Sequence, residues 1–245
     1  MKYALLLMII VPATLFSQSY LGVGAHFEGF LRDGNWHDTY GEGFSTGGRV
    51  EFGNAKGIIL ALQGDVIFGS DVKIDPIADL RNDVGVVTGD IGQEGALADI
   101  ILKSRGFRST ALVGYQYTLT QSGFGVRMLA GPSYLYHFIR IQEDANLTTS
   151  NLRDEYKRGY DRRAAGFGGY GELGFQYAEP SNSFRIYAVM TGSVNTTSAR
   201  NSTQFDLLEV APQDGTDLSY GARVGIILGL LRDVNSSQKA DEIYY

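Results

Sequence analysis

With 245 residues and a formal net charge of −6, the chain is too acidic overall to suit nucleic acid as a partner. It has no cysteine, which excludes a disulfide framework, and beyond residue 16 it has no apolar run long enough for a membrane-spanning helix. Its 32 glycines, 15 tyrosines and 13 phenylalanines against 5 prolines suit strands in which only alternate residues need be apolar.

The chain opens with Met1-Lys2-Tyr3 and the apolar run Ala4–Phe16, the charged start and short hydrophobic core of an export signal. That run falls short of the ~20 residues a spanning helix needs. Cleavage after Ser17 would begin the mature chain at Gln18 and remove Lys2, leaving 20 basic residues against 27 acidic ones. Residues 1–17 are therefore expected to be removed, 18–231 to form a single domain, and 232–245 to continue as a polar tail.

Amphipathic segments follow at 20–30, 44–53, 57–68, 105–118, 123–138, 166–177, 184–195 and 217–229. In the first, Leu21, Val23, Ala25 and Phe27 alternate with Gly22, Gly24, His26 and Glu28. The second sets Phe44, Thr46, Gly48, Val50 and Phe52 against Ser45, Gly47, Arg49 and Glu51, and the third sets Ile58, Leu60, Leu62 and Val66 against Gln63 and Asp65. The same period of two separates Val113 and Tyr115 from Arg108 and Thr110, Val126 and Met128 from Arg127, and Leu173 and Phe175 from Glu172. In the last two segments Ile186 and Met190 oppose Arg185 and Thr191, and Val224 and Ile226 oppose Arg223. Across these strand cores no charge falls on the apolar face, and aromatic residues such as Phe52, Phe68, Tyr115, Tyr117, Phe138 and Tyr177 gather at the ends, as in interfacial girdles.

The connections alternate in length. Asn54-Ala55-Lys56, a turn around Gln121-Ser122, and Glu179-Pro180-Ser181-Asn182-Ser183 are short, whereas the other four gaps are long. The rhythm predicts an all-β fold: an eight-stranded antiparallel up-and-down transmembrane β-barrel with four long outer loops and short periplasmic turns.

The second face collects Glu28, Arg49, Glu51, Asp65, Arg108, Arg127, Glu172, Arg185 and Arg223. An eight-stranded barrel has an interior only wide enough for side chains, and charges enclosed there must pair. A plugged polar lumen is therefore expected, in preference to a small channel. A lipid-modifying enzyme is the other alternative, and it would need serine, histidine and an acid on the lipid-facing side. The histidines are His26, His37 and His137, and the alternation turns His26, His137 and Ser133 inward. No catalytic residue, cofactor or metal site is expected.

The acidic gap around Asp71–Asp99 lacks the spacing of a calcium loop, although Asp75-Pro76 has the form of a helix start. Between Arg140 and Arg163 charges of both signs alternate, and the basic end of that stretch adjoins the sixth strand, where it could meet lipopolysaccharide phosphates. Gly34-Asn35-Trp36 matches the Gly-x-Trp of lipocalins, but lipocalins keep apolar residues inside, the reverse of this pattern.

Over nearly all of residues 20–229 the chain resembles the small eight-stranded outer-membrane barrels of the OmpA-barrel and OmpX kind. Ile139-Arg140-Ile141-Gln142-Glu143, the stretch Glu155–Arg162 and the ending Asp241-Glu242-Ile243-Tyr244-Tyr245 are similar to segments of outer-membrane proteins from gliding-type bacteria with type IX secretion. The resemblance implies a bacterial outer-membrane location among lipid and lipopolysaccharide, and a structural or accessory role with a protein partner in an envelope complex, secretion among the candidates. An even strand number places both termini in the periplasm, where Ile243, Tyr244 and Tyr245 form a candidate docking end on a polar leash, the alternatives being a displaced assembly signal carrying Tyr244 and Tyr245 or a disordered end.

Overall fold

The computed structural model describes residues 19–54, 57–71, 100–120, 122–143, 160–179, 183–200 and 215–231. Eight strands are present: β1 (Ser19–Arg32), β2 (Gly43–Asn54), β3 (Ile58–Asp71), β4 (Ile100–Thr118), β5 (Phe124–Glu143), β6 (Tyr160–Ala178), β7 (Phe184–Arg200) and β8 (Gly215–Leu231). Each pairs antiparallel with its sequence neighbours, and β8 closes on β1. Closure leaves no free strand edge, so the backbone of the wall pairs strand to strand apart from irregularities at Leu21/Gly22, Phe68/Asp71 and Phe138/Ile139 and around Pro132.

The register fixes the tilt. Starting at Leu21, the pairing runs through Phe52, Leu60, Val113, Ala130, Gly171, Gly192 and Tyr220, and returns to β1 at Leu31. The ring therefore closes 10 residues further along β1 (31 − 21), a stagger that inclines the strands to the barrel axis.

All eight faces point as the alternation predicts. Phe27, Leu62, Phe167 and Met190 project outward, Met190 with 75% of its surface exposed, while His26, Gln63 and Thr191 are buried within. Two aromatic girdles bound the wall. At the long-loop end Phe27, Phe44 and Phe68 stack in sequence (centroids 5.7 and 5.1 Å) and Phe107 meets Phe138 at 6.0 Å. At the turn end Phe124 stacks on Phe175 at 5.7 Å and Tyr177 meets Phe184 at 6.1 Å. The interior is not wholly polar: Ile59, Ala61, Leu112, Leu129 and Tyr170 form an inward apolar cluster.

The two described short turns between β2 and β3 and between β4 and β5 each use a glycine in the left-handed region, Gly57 (φ +89°) and Gly123 (φ +91°). Gly57 donates to the Asn54 carbonyl at 3.0 Å, and Gly123 to that of Thr120 at 3.0 Å.

Four strands outrun the segments read from the sequence by five or six residues at one end. β4 begins at Ile100 instead of 105, β5 runs to Glu143, β6 begins at Tyr160, and β7 continues to Arg200. Apolar alternation stops at the aromatic girdle, but backbone pairing needs only a neighbouring strand, so the hairpins continue past it. One element was unforeseen: a short helix α1 (Gly34–Tyr40) follows β1, capped by Asp33, whose carboxylate accepts from the Gly34 amide at 2.8 Å. The Gly34-Asn35-Trp36 triplet is thus the first turn of a helix and not a lipocalin signature. The export signal, the Asp75-Pro76 helix start, most of the Arg140–Arg163 loop and the tail with Ile243, Tyr244 and Tyr245 lie outside the described residues.

Candidate functional site: the barrel lumen

The nine charged residues expected inside are all buried. They join into one network because the alternation sends every second side chain to a common axis. In its centre Arg49 of β2 grips Glu172 of β6 with both ends of its guanidinium, Nη1 to Oε1 at 3.0 Å and Nη2 to Oε2 at 2.6 Å. Arg127 donates to Glu51 at 2.6 Å and lies 3.2 Å from Glu172. Gln63 bridges the halves, accepting from Arg49 at 2.7 Å and from Arg223 at 2.6 Å.

Arg223 also donates to Glu28 at 2.6 Å and to Asp65 at 3.2 Å. Arg108 binds the same two carboxylates, reaching Asp65 through Nε at 3.0 Å. Glu28 is further held by Thr191 (2.6 Å), Ser45 (3.2 Å) and Tyr170 (3.4 Å), and Asp65 by His26.

The guanidinium Nε–H groups of Arg49, Arg127 and Arg223 have no hydrogen-bond acceptor among the described residues. Their charge is met by aromatic faces. Arg49 and Arg127 lie 5.1 and 4.6 Å from the Tyr187 ring centre, and Arg108 and Arg223 lie 4.6 and 5.0 Å from that of Tyr170.

Toward the turn end, Arg185 sits over the Tyr20 ring at 3.4 Å and donates to Gln116 at 2.7 Å, while the Tyr20 hydroxyl donates to Glu51. Gln176 donates to the same Gln116 oxygen at 2.8 Å.

Toward the long loops the lumen holds a second layer that the sequence reading missed. Arg32 lies 3.8 Å from Asp217 and donates to Ser104 at 3.4 Å. Ser104 Oγ and His137 Nε2 are hydrogen-bonded at 2.7 Å. The α1 helix turns Trp36 and Tyr40 down onto this layer: their rings meet His137 edge-on at 5.2 and 4.5 Å, and the Arg32 guanidinium lies within 5.9 Å of both. Arg32 and Asp217 share the strand parity of Glu28 and Arg223; Arg32 lies two residues beyond the segment 20–30 and Asp217 is the first residue of the segment 217–229, so the alternation carried to those ends would have found them. Trp36 and Tyr40, four apart, carried the helical spacing that places both on one face.

Ser133 and His137 do point inward as expected, but they are not each other's partners, since Ser133 donates to Asn195 at 2.6 Å. The Ser104–His137 pair is 0% and 1% exposed beneath Trp36 and Tyr40. Counting the second layer, six arginines (32, 49, 108, 127, 185, 223) face five carboxylates (28, 51, 65, 172, 217), nearly neutral overall. What such an arrangement can do chemically is fill and brace the barrel: paired charges offset their own desolvation, and any one left alone would not.

No protein-family model matches the sequence, and no curated protein matches it. Among solved structures, the chain is similar to the N-terminal β-barrel domain of Pseudomonas aeruginosa OprF (10% identity, TM-score 0.37, covering 86% of this chain and 100% of that one). It is similar to Neisserial surface protein A at 12% identity and TM-score 0.41, over 86% of this chain and 96% of that one. A major outer membrane protein from Thermus thermophilus matches at 12% identity and TM-score 0.40, over 86% of this chain and 99% of that one.

Proposed function

We propose that the protein is a non-enzymatic outer-membrane barrel whose lumen is plugged, and that it serves as a structural or accessory component of an envelope complex, binding partners through its loops and tail. The observation that carries this reading is the Arg49–Glu172 and Arg127–Glu51 network spanning the lumen behind a wall of exposed Phe, Leu, Val and Met side chains. A wall of that polarity suits hydrocarbon and would aggregate in water. A filled lumen transports nothing, which leaves the outer surfaces to act.

The lipid-modifying alternative is weakened by where the Ser104–His137 pair sits, inside the barrel and under α1, away from any lipid substrate. The surroundings of the wall are lipid and lipopolysaccharide; the protein partner is sought at the loops and at Ile243, Tyr244 and Tyr245 of the tail. Mild-detergent isolation of the full chain and of a chain lacking 232–245, compared by mass spectrometry, tests the role. Partners that co-purify only with the full chain support it. Altered lipid A in cells lacking the protein would replace it with the enzymatic reading.

A further inference from the structure

The layer beneath α1 is paired less completely than the centre of the lumen. Each of the four central carboxylates, Glu28, Glu51, Asp65 and Glu172, accepts at least two hydrogen bonds. Asp217 Oδ1 lies 3.8 Å from Arg32 Nε, beyond hydrogen-bond reach, and has no partner among the described residues. Arg32 Nε and Trp36 Nε1 lack one as well. Arg32, Asp217 and Trp36 are 3%, 4% and 2% exposed, so each of these atoms carries a desolvation cost that no described neighbour offsets. Two donors and one acceptor thus gather around one guanidinium, with the hydrogen-bonded Ser104 and His137 beside them.

The helix α1 covers these groups as a lid. Its two ends turn through glycines in the left-handed region, Gly34 (φ +60°) and Gly41 (φ +58°). A Cβ on Gly34 would meet nothing within 4 Å, so that glycine serves the turn and not the packing. The residue before the helix is tied to β8, the Asp33 amide donating to the Leu218 carbonyl at 2.9 Å. Seven residues are too few to sustain a helix alone. What holds α1 down is the contact of the Trp36 and Tyr40 rings with His137 and the Arg32 guanidinium. Rotation at the two glycines would lift both rings together.

The chemistry of the layer selects a ligand class. An anion drawn to Arg32 would face the Asp217 carboxylate, and a cation drawn to Asp217 would face Arg32. An apolar molecule would leave all three atoms unpaired. A neutral polyhydroxyl ring meets every demand, since each hydroxyl both donates and accepts and the C–H face suits the two aromatic rings. The Arg49–Glu172 layer closes the lumen below, so entry is from the long-loop side.

We propose that α1 is a hinged lid and that the Arg32–Asp217 layer beneath it, with Trp36, is a binding site for a neutral sugar, free or at the end of a glycan. Trp36 is the one tryptophan of the chain, so its fluorescence reports the lid directly. The full chain, folded into phosphatidylcholine vesicles, is titrated with glucose, galactose, mannose and N-acetylglucosamine, with acetate and choline as charged controls. Binding is read by Trp36 emission, by its quenching with acrylamide and by calorimetry.

Without sugar Trp36 should be shielded from acrylamide. At least one sugar should give a saturable change in emission with a heat of binding, and neither control should. Asp217→Asn keeps the shape of the side chain and should weaken that binding about tenfold, and Arg32→Gln at least as much. Asp38→Asn, an exposed change on α1, should leave it unaltered. Where Arg32→Gln does not fold, Asp217→Asn decides alone, and undiminished binding by it would overturn the site. A methyl glycoside that binds as tightly as the free sugar assigns the site to a glycan end, and loss on methylation assigns it to the free sugar. Saturation by acetate or choline would overturn the choice of a neutral ligand. No saturable emission change and no heat with any of the four sugars would overturn the site, and free quenching of Trp36 in the resting chain would overturn the lid.

Discussion

Arg49 and Glu172 meet fork to fork across the barrel, on strands that stand opposite one another in the ring of eight, with both side chains fully buried. The pair is thus a strut between opposite walls and not a cross-strand contact within one. A strut of this kind stabilises only as a pair, since each ion alone would keep the desolvation cost and lose the compensation.

Removing one end should therefore cost more than removing both. Arg49→Ala or Glu172→Ala is expected to destabilise the folded barrel by about 3–5 kcal/mol, the range for breaking a buried pair. Arg49→Met with Glu172→Leu should cost clearly less than the sum of the single changes, because contacting residues couple by roughly 0.5–3 kcal/mol. Urea titration of the barrel in vesicles, read by the shift between folded and unfolded forms on unheated gels, gives all three values. Additive losses would remove the strut from the account.

The same struts predict electrical silence. Purified protein in planar bilayers should give no stable conductance at any holding potential. Replacing residues 34–40 by a Gly-Ser linker should leave it silent, because Arg127, Arg223 and Tyr187 still fill the section below α1. A current from the linker variant alone would move the seal from the centre of the barrel to its cap, and a porin-like current from the wild type would install the channel reading.

How far the sequence could be read follows from what alternation encodes. Period two reports which face a side chain takes, so the inward set from Glu28 to Arg223 and the outward set from Leu21 to Leu228 were legible, and with them the closed barrel. It does not report height along the axis. That Arg49 finds Glu172 while Arg223 shares Gln63 with it depends on the stagger of 10 residues around the ring, which emerges only when all eight registers are known. Strand ends were hidden for a different reason, since beyond the girdle nothing apolar marks a strand that pairing alone sustains. The cap was hidden because a helix of about two turns leaves two aromatic residues as its whole signature.

The cap makes its own forecast. His26 and His137 are buried within the barrel, and His37 on the outer side of α1 is partly exposed. Diethyl pyrocarbonate should modify His37 rapidly in the folded protein and the other two slowly, as mapped by peptide mass spectrometry. Trp36→Ala or Tyr40→Ala should speed modification of His137, whose ring both side chains cover, and leave His26, tied to Asp65 deeper in the lumen, as slow as before. Rapid modification of His137 in the wild type would mean that α1 does not seal the mouth.

The wall can be tested by depth. Met190 projects from β7 between the two girdles with three-quarters of its surface exposed, and Thr196 projects from the same face nearer the long loops. Both positions are outward, so Met190→Arg and Thr196→Arg should leave the lumen untouched and differ only in the medium that the new cation meets. In hydrocarbon the penalty is about 2–4 kcal/mol, and it falls to about 0–1 kcal/mol toward the headgroups. Met190→Arg is therefore expected to lower the unfolding free energy in vesicles by that larger amount, and Thr196→Arg by less than about 1 kcal/mol. Equal, small effects at both positions would mean that water and not lipid bathes the wall.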